Sequence, residues 1–291
     1  MARPGTGARC PKHMSDTPRG AVAALPVAGV ETAANPGLWL TAATLWHREL
    51  RGFYRQRSRV FGTFSTPLLF WIVLGSGFGS SLAGSAGGYA HFFYPGVLLL
   101  SVLFTSIYCN ISLIEDRREG FLLGVLVAPV PRLSLVIGKV GGAATIGAIQ
   151  GALMLPLAPL AGLRIDPAAV PELLALLLLA ALGITALGFL CAWWLNSVQG
   201  FHALMNLVLM PMWLLSGAVF PVDGSSAWVR LVTAVNPLSY GVIELRRQLG
   251  ETPPGAPAEP AVSWLVLGGF AAAALLAAWH RSTTTNPEHL A

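Results

Sequence analysis

The chain has 291 residues, 54% of them apolar and only 11% charged, with 32 Gly, 9 Trp and a mean hydropathy of +0.65. That balance excludes an ordinary soluble domain and fits a protein whose solvent is mostly lipid. The net charge of +5 reads as membrane topology plus attraction to anionic lipid, so nucleic acid is not an expected partner. Three cysteines, Cys10, Cys109 and Cys191, lack metal-ligand spacing and imply neither a disulfide framework nor a metal site.

Residues 1–35 are rich in Pro, Gly and Ala and read as a disordered cytoplasmic N-terminus, with Met14 as an alternative start. The stretch "AVAALPVAGV" is too short and too broken by Pro to span a membrane or serve as a signal peptide. Next comes "NPGLWLTAATLWHRELRGFYRQRSR", with Asn35 as a helix cap and Pro36 at the first helical position. Trp39, Ala43, Trp46, Leu50 and Phe53 share one face of that helix; Thr41, Thr44, Arg48, Arg51 and Arg55 share the other. Aromatics opposite arginines predict an amphipathic helix in the headgroup plane, in contact with membrane lipid.

Six apolar runs are long enough to cross about 30 Å of hydrocarbon: residues 60–82, 91–113, 136–160, 170–194, 200–221 and 261–280. The third carries Lys139 at its start and Pro156 and Pro159 near its end. With a cytoplasmic N-terminus, 14 of the 18 Lys and Arg fall in inner segments, so both termini, including the tail 281–291, are expected in the cytoplasm.

Between the second and third spans, "LIEDRREGFLLGVLVAPVPRL" places Glu115, Asp116, Arg117, Arg118 and Glu119 in a row. These charges cannot lie in hydrocarbon, so the span is expected to end near Leu113. On a helix Glu115 can pair with Arg118, and Asp116 lies near Glu119 and Gly120, leaving charges of both signs at the surface. "FLLGVLVAP" is apolar again, too short to span, and is stopped by Pro129 and Pro131. A cytoplasmic helix with a charged start and an oily body is expected, better explained by docking on a partner than by topology.

On the third span Gly138, Gly142, Gly147 and Gly151 allow close helix approach, expected within one subunit. Polar side chains for a substrate path are Thr105, Ser106 and Asn110 on the second span and His202 and Asn206 on the fifth, joined there by the adaptable Met205, Met210 and Met212. Any of the hydroxyls can instead bond back to its own helix. After the fifth span, "FPVDGSSAWVRLVTAVNPLSYGVIELRRQL" is too polar to span and too apolar for a free loop. Asp223-Gly224 marks a turn, Asn236-Pro237 caps a second short helix, and Glu244 can pair with Arg247.

The ordered landmarks resemble the type-2 ABC exporter permeases. The carriers are the surface helix, "EDRREG" followed by an oily stretch and "PVPR", and "LLSGAVFPVDGSSAWVRLVTAVNPLSYGVIELRR" with its Ser-Gly, Phe-Pro, Trp and "NPLSY" elements. After Gly120 the chain has Phe-Leu-Leu-Gly-Val-Leu where that family commonly places Leu-Glu-x-Leu. The resemblance implies a type-2 ABC transmembrane domain over residues 36–280: an all-α integral membrane protein with six transmembrane helices, an N-terminal amphipathic interface helix, a cytoplasmic coupling helix and a short external re-entrant helical hairpin. Glu115, Arg117, Arg118, Glu119, Gly120, Pro129, Pro131 and Arg132 are then the candidates for ATPase coupling, and Asn236, Pro237 and Tyr240 belong to the external hairpin.

There is no G-x-x-x-x-G-K-[ST], no His-Glu-x-x-His and no Gly-x-Ser-x-Gly. No catalytic residue or cofactor is therefore assigned to this chain; ATP and Mg²⁺ would belong to a separate ABC ATPase, two copies serving a homodimer of this permease in the inner membrane. The expected activity is outward movement of a drug, lipid or lipid-linked glycan by alternating access. A secondary transporter is disfavoured by the lack of acids in the cores of the spans, a membrane enzyme by the lack of a catalytic cluster, and a non-transporting assembly protein stays open as an alternative.

Overall fold

The computed structural model of the chain describes residues 37–79, 88–128, 130–251 and 259–284. The expectations for residues 1–35, for the cap at Asn35 and Pro36, for Pro129 and for most of the tail lie outside those residues. Among the described residues the structure is helical throughout, with six helices long and apolar enough to cross a membrane.

In chain order, α1 spans Leu38–Arg55 and breaks at Gln56 into α2, Arg57–Gly77. Helix α3 runs Gly88–Arg118, and α4 is the short Phe121–Val127. Helix α5, Arg132–Met154, tightens into a 3-10 turn over Leu155–Ala161, where Pro156 and Pro159 remove amide donors. Helix α6, Val170–Trp194, has the predicted bounds. Helix α7, Val198–Trp213, ends in a π turn over Leu214–Ala218 that Gly217 terminates with a φ of 76°. The hairpin is α8, Ala227–Val235, and α9, Pro237–Gln248; α10 is Pro260–Thr284.

Helix α3 forms the centre. Its most apolar window is 83% buried inside the protein, against 22% for α2 and 28% for α10, which leaves the outer pair to face lipid. Around α3 stand α2, α5, α6 and α7, and Phe93, Leu98, Leu103, Ile107 and Ile114 fill the space between. The glycines of α5 act as two pairs within this one chain. A Cβ on Gly138 would come within 2.8 Å of the Ala42 carbonyl oxygen, and one on Gly142 within 2.9 Å of Glu49 Cβ, so these two admit α1. Gly147 and Gly151 admit Ala181 and Leu177 of α6 in the same way.

Helix α1 therefore runs alongside the first half of α5 and in the same direction. The face it buries is Ala42, Leu45, Glu49 and Phe53, not the expected stripe, of which only Phe53 is buried. Trp39 points outward, and Trp46 stays at the edge of the seam, its indole N–H donating to Thr145 Oγ1 of α5 at 3.1 Å. The reason is steric: small residues on α5 accept Ala42 and Leu45 closely, whereas indole rings are too bulky for the seam. Past Leu113, where the second span is expected to leave hydrocarbon, α3 continues helical through the charged run to Arg118.

Candidate functional site

Helices α1, α3, α4 and α5 meet at one end of the bundle. Asp116 on α3, Glu49 on α1 and Lys139 on α5 are all buried there. The Lys139 ammonium donates to one oxygen of each acid and to Ser112 Oγ at 3.3 Å. Ser112 donates to the other Glu49 oxygen at 2.8 Å. Arg48 completes the set by donating to Asp116 at 2.9 Å, with its side chain still 40% exposed. Two acids and two bases thus cancel, which is the condition for keeping charges out of water. The hydrogen bond to Asp116 holds the Arg48 guanidinium above its ordinary pKa, outweighing burial. Arg48 also stacks 3.8 Å from the centre of the Phe121 ring, so one side chain of α1 touches both α3 and α4.

This geometry corrects two sequence expectations. Glu115 pairs with Arg59 of α2 at 2.6 Å, not with Arg118, and Asp116 is buried, not at the surface. A helix can continue through a charged run when other helices bring counter-charges to it, as α1 and α5 do. Arg117 donates to the Trp193 carbonyl at 2.9 Å and to Asn196 Oδ1 at 2.8 Å, and Arg118 to the Asn196 carbonyl at 2.7 Å. Both arginines thus cap the end of α6, where carbonyls lack helical partners. Arg132 does the same for α10 through the Ser282 carbonyl at 2.6 Å. Gly120 takes the left-handed conformation, φ 77°, that turns the chain into α4, and Pro131 is the N-cap of α5. Glu119 is exposed at the rim.

Helix α4 is anchored by Leu122, which is buried, while Val127 is 78% exposed. An apolar groove of about 360 Å³ separates it from α1, lined by Thr41, Leu45, Phe121 and Val125 among others. Arg48, Glu49, Arg59, Ser112 and Lys139 were not among the sequence candidates for this end. The available signal was Lys139 within an apolar run and Glu49 on an aromatic helix, each an ionisable residue that demands a partner.

At the opposite end, Asn236 caps α9 by accepting from the Leu238 amide at 3.1 Å and donates to the Met212 carbonyl at 2.5 Å. Pro237 is the first residue of α9, and Tyr240 donates to the Ala234 carbonyl at 2.9 Å, closing α8 against α9. Glu244 pairs with Arg247 at 2.6 Å, as the spacing predicts. Arg246, buried, donates to the Phe92 carbonyl at 3.2 Å and to the Gly217 carbonyl at 3.0 Å, where the π turn unwinds. Burial pulls its pKa below the ordinary arginine value. Glu251 lies 2.8 Å from His91 Nδ1 and 3.7 Å from Arg246, and burial pushes its carboxyl up to about 7.

The polar residues of the spans divide. Thr105 donates to the Ser101 carbonyl at 2.7 Å, Ser106 accepts from Thr185 of α6 at 3.0 Å, and Asn110 donates to the Ser106 and Thr185 carbonyls at 2.9 and 3.2 Å. All three are buried, and Ser106 and Asn110 face α6. His202 instead meets Tyr108 edge-on at 5.6 Å, and Asn206 is exposed on the outer face of α7, while Met205 is buried.

The chain belongs to the ABC-2 type transporter family, whose model matches residues 42–248. It is accordingly a transport permease subunit of an ABC transporter, a membership that implies association with an ABC ATPase subunit. Among its relatives, it is 28% identical over 185 residues to a putative transport permease, ycf38, of Cyanophora paradoxa, covering 62% of this chain and 64% of that one. It is 27% identical over 225 residues to nodulation protein J of Neorhizobium galegae, covering 75% and 84%. Against the inner membrane transport permease YadH of Escherichia coli (strain K12) it is 29% identical over 120 residues, covering 40% and 46%. The matched stretch is thus less than two thirds of the ycf38 and YadH chains.

Proposed function

We propose that the chain is the membrane half of an exporter that carries an amphipathic substrate, such as a drug, a lipid or a lipid-linked glycan, from the α4 side to the hairpin side. In this reading α4 is the coupling helix, the α4 end and both termini face the cytoplasm, and the protein works as a homodimer in the inner membrane with two ATPase subunits. ATP and Mg²⁺ bind to those subunits.

The observation that carries the reading is α4 itself: a seven-residue helix with its far end apolar and exposed, fixed to the bundle by Leu122 and by Arg48 on Phe121. An exposed apolar helix end on a rigid base suits a protein partner. Through Arg48, a push on α4 reaches Asp116 on α3, and through Lys139 it reaches α1 and α5. Ser106 and Asn110 then hold α3 to α6 as a unit, and His202 and Asn206 on α7 are the proposed substrate-facing residues. Glu115, Arg117, Arg118, Gly120, Pro131 and Arg132 position α4, with Glu119 at its rim.

Val127→Glu tests the docking. Because Val127 is exposed, the variant is expected to fold and insert normally but to lose co-purification with the ATPase and ATP-dependent transport in vesicles. Unchanged co-purification and transport would sink α4 as the coupling element.

A further inference from the structure

Next to the buried ionic cluster lies a polar cavity of about 510 Å³ between α1, the start of α2 and the end of α3. Most charges on its wall already have partners: Arg48 with Asp116, Arg59 with Glu115, and Glu49 with Lys139. Three do not. The side chains of Arg51 and Arg55, one turn apart on α1, and of Glu119 on the opposite wall make no hydrogen bond or ion pair among the described residues, although the Glu119 charge is felt by Arg48, and all three are exposed. The cavity therefore offers an unmatched pair of guanidinium groups on one side and an unmatched carboxylate on the other.

Its depth narrows the ligand. On α2 the cavity sits where Arg57 and Arg59 give way to the apolar run from Val60, and on α3 where Ile111 gives way to Glu115. For helices that cross a bilayer this is the headgroup level. A molecule there that carries an anion for two arginines and a cation for one acid is a zwitterionic phospholipid. Guanidinium pairs suit phosphate oxygens. Quaternary ammonium groups are held by aromatic cages, and among the described residues the wall's one Phe, Tyr or Trp is Phe53, which is buried. A primary ammonium, which can donate hydrogen bonds to Glu119, fits this wall better than choline does.

We infer that this cavity is a binding site for the headgroup of phosphatidylethanolamine, with its phosphate on Arg51 and Arg55 and its ammonium on Glu119. The site depends on the spans crossing a bilayer and not on what docks at α4. Phosphatidylethanolamine bound there bridges α1 to α3 on the side away from α5.

The test uses the full chain, delipidated in detergent and titrated with phosphatidylethanolamine, phosphatidylcholine or phosphatidylglycerol, with bound lipid read by native mass spectrometry. Wild type is expected to retain phosphatidylethanolamine about tenfold more than either other lipid, the worth of one charge-assisted hydrogen bond. Glu119→Gln should remove the preference over phosphatidylcholine, and Arg51→Gln with Arg55→Gln should reduce retention of all three lipids. Val127→Glu should leave every value unchanged, which separates this site from the docking reading. Equal retention of the three lipids by wild type, a preference for phosphatidylglycerol, or selectivity that survives Glu119→Gln would each overturn the assignment.

Discussion

The two ends of the bundle solve the same problem by different chemistry. At the α4 end, α1, α3 and α5 are joined side chain to side chain through Glu49, Asp116, Lys139 and Arg48, beside the carbonyl contacts of Arg117, Arg118 and Arg132. At the hairpin end, where Glu251 also meets His91 and Arg246, most side chains that join the elements take up backbone carbonyls: Arg246 those of Phe92 and Gly217, Asn236 that of Met212, Thr233 that of Leu215, and Tyr89 that of Val219. The cause is local. Helix α7 ends in a π turn and Gly217 leaves helical geometry, so carbonyls there lack their usual amide partners and polar side chains replace them. The ionic joint depends on every member being present, whereas the hairpin joint is a set of separable bonds.

That contrast can be broken first at Lys139. Lys139→Met leaves Glu49 with only the longer 3.8 Å contact to Arg48, which Asp116 already engages, and is expected to cost about 3–5 kcal/mol in an unfolding titration in micelles. Adding Glu49→Gln to that variant should recover most of the loss, since Asp116 keeps Arg48. No recovery would mean that the cluster is not a unit. Arg246→Ala should cost less, about 2–3 kcal/mol, as two charge-assisted bonds to carbonyls are lost. Asn236→Ala removes a helix cap and is expected to cost about 1 kcal/mol. Arg246→Ala and Asn236→Ala should be closer to additive than the Lys139 and Glu49 pair, a difference that double-mutant cycles read directly.

A separate test of the hairpin end is a pH dependence. Burial raises Glu251 from an ordinary 4.5 to about 7 in the folded protein, with Arg246 opposing. The folded state therefore holds this proton more tightly than the unfolded chain does. Its contribution to stability is complete below pH 4.5 and is lost as pH rises through about 7. The melting temperature should fall across that window, and Glu251→Gln should flatten the slope.

The spans were readable from sequence because a run of Leu, Ala and Val has one stable home, and α6 matches its run end to end. The Asn236 cap and the Glu244 to Arg247 pair were readable because their partners lie within a few residues. The ionic joint was not, because Lys139 and Glu49 are 90 residues apart and nothing local says that they meet. The buried face of α1 was hidden for another reason: periodicity marks apolar residues but does not separate those facing lipid from those facing protein. Here the small glycines of α5 decide, and they select Ala42 and Leu45 over the two tryptophans.

The seam between α1 and α5 also sets an order of assembly during synthesis. The ribosome completes Glu49 90 residues before Lys139, an interval of about 5–20 s at ordinary elongation rates. Through that interval α1 has neither its glycine groove nor its counter-ion, and Glu49 must stay hydrated. A nascent chain arrested before residue 132 should therefore leave α1 open to protease, and one extended past Lys139 should protect it. On this schedule α1 waits for the fifth helix of the described residues before it is locked in place.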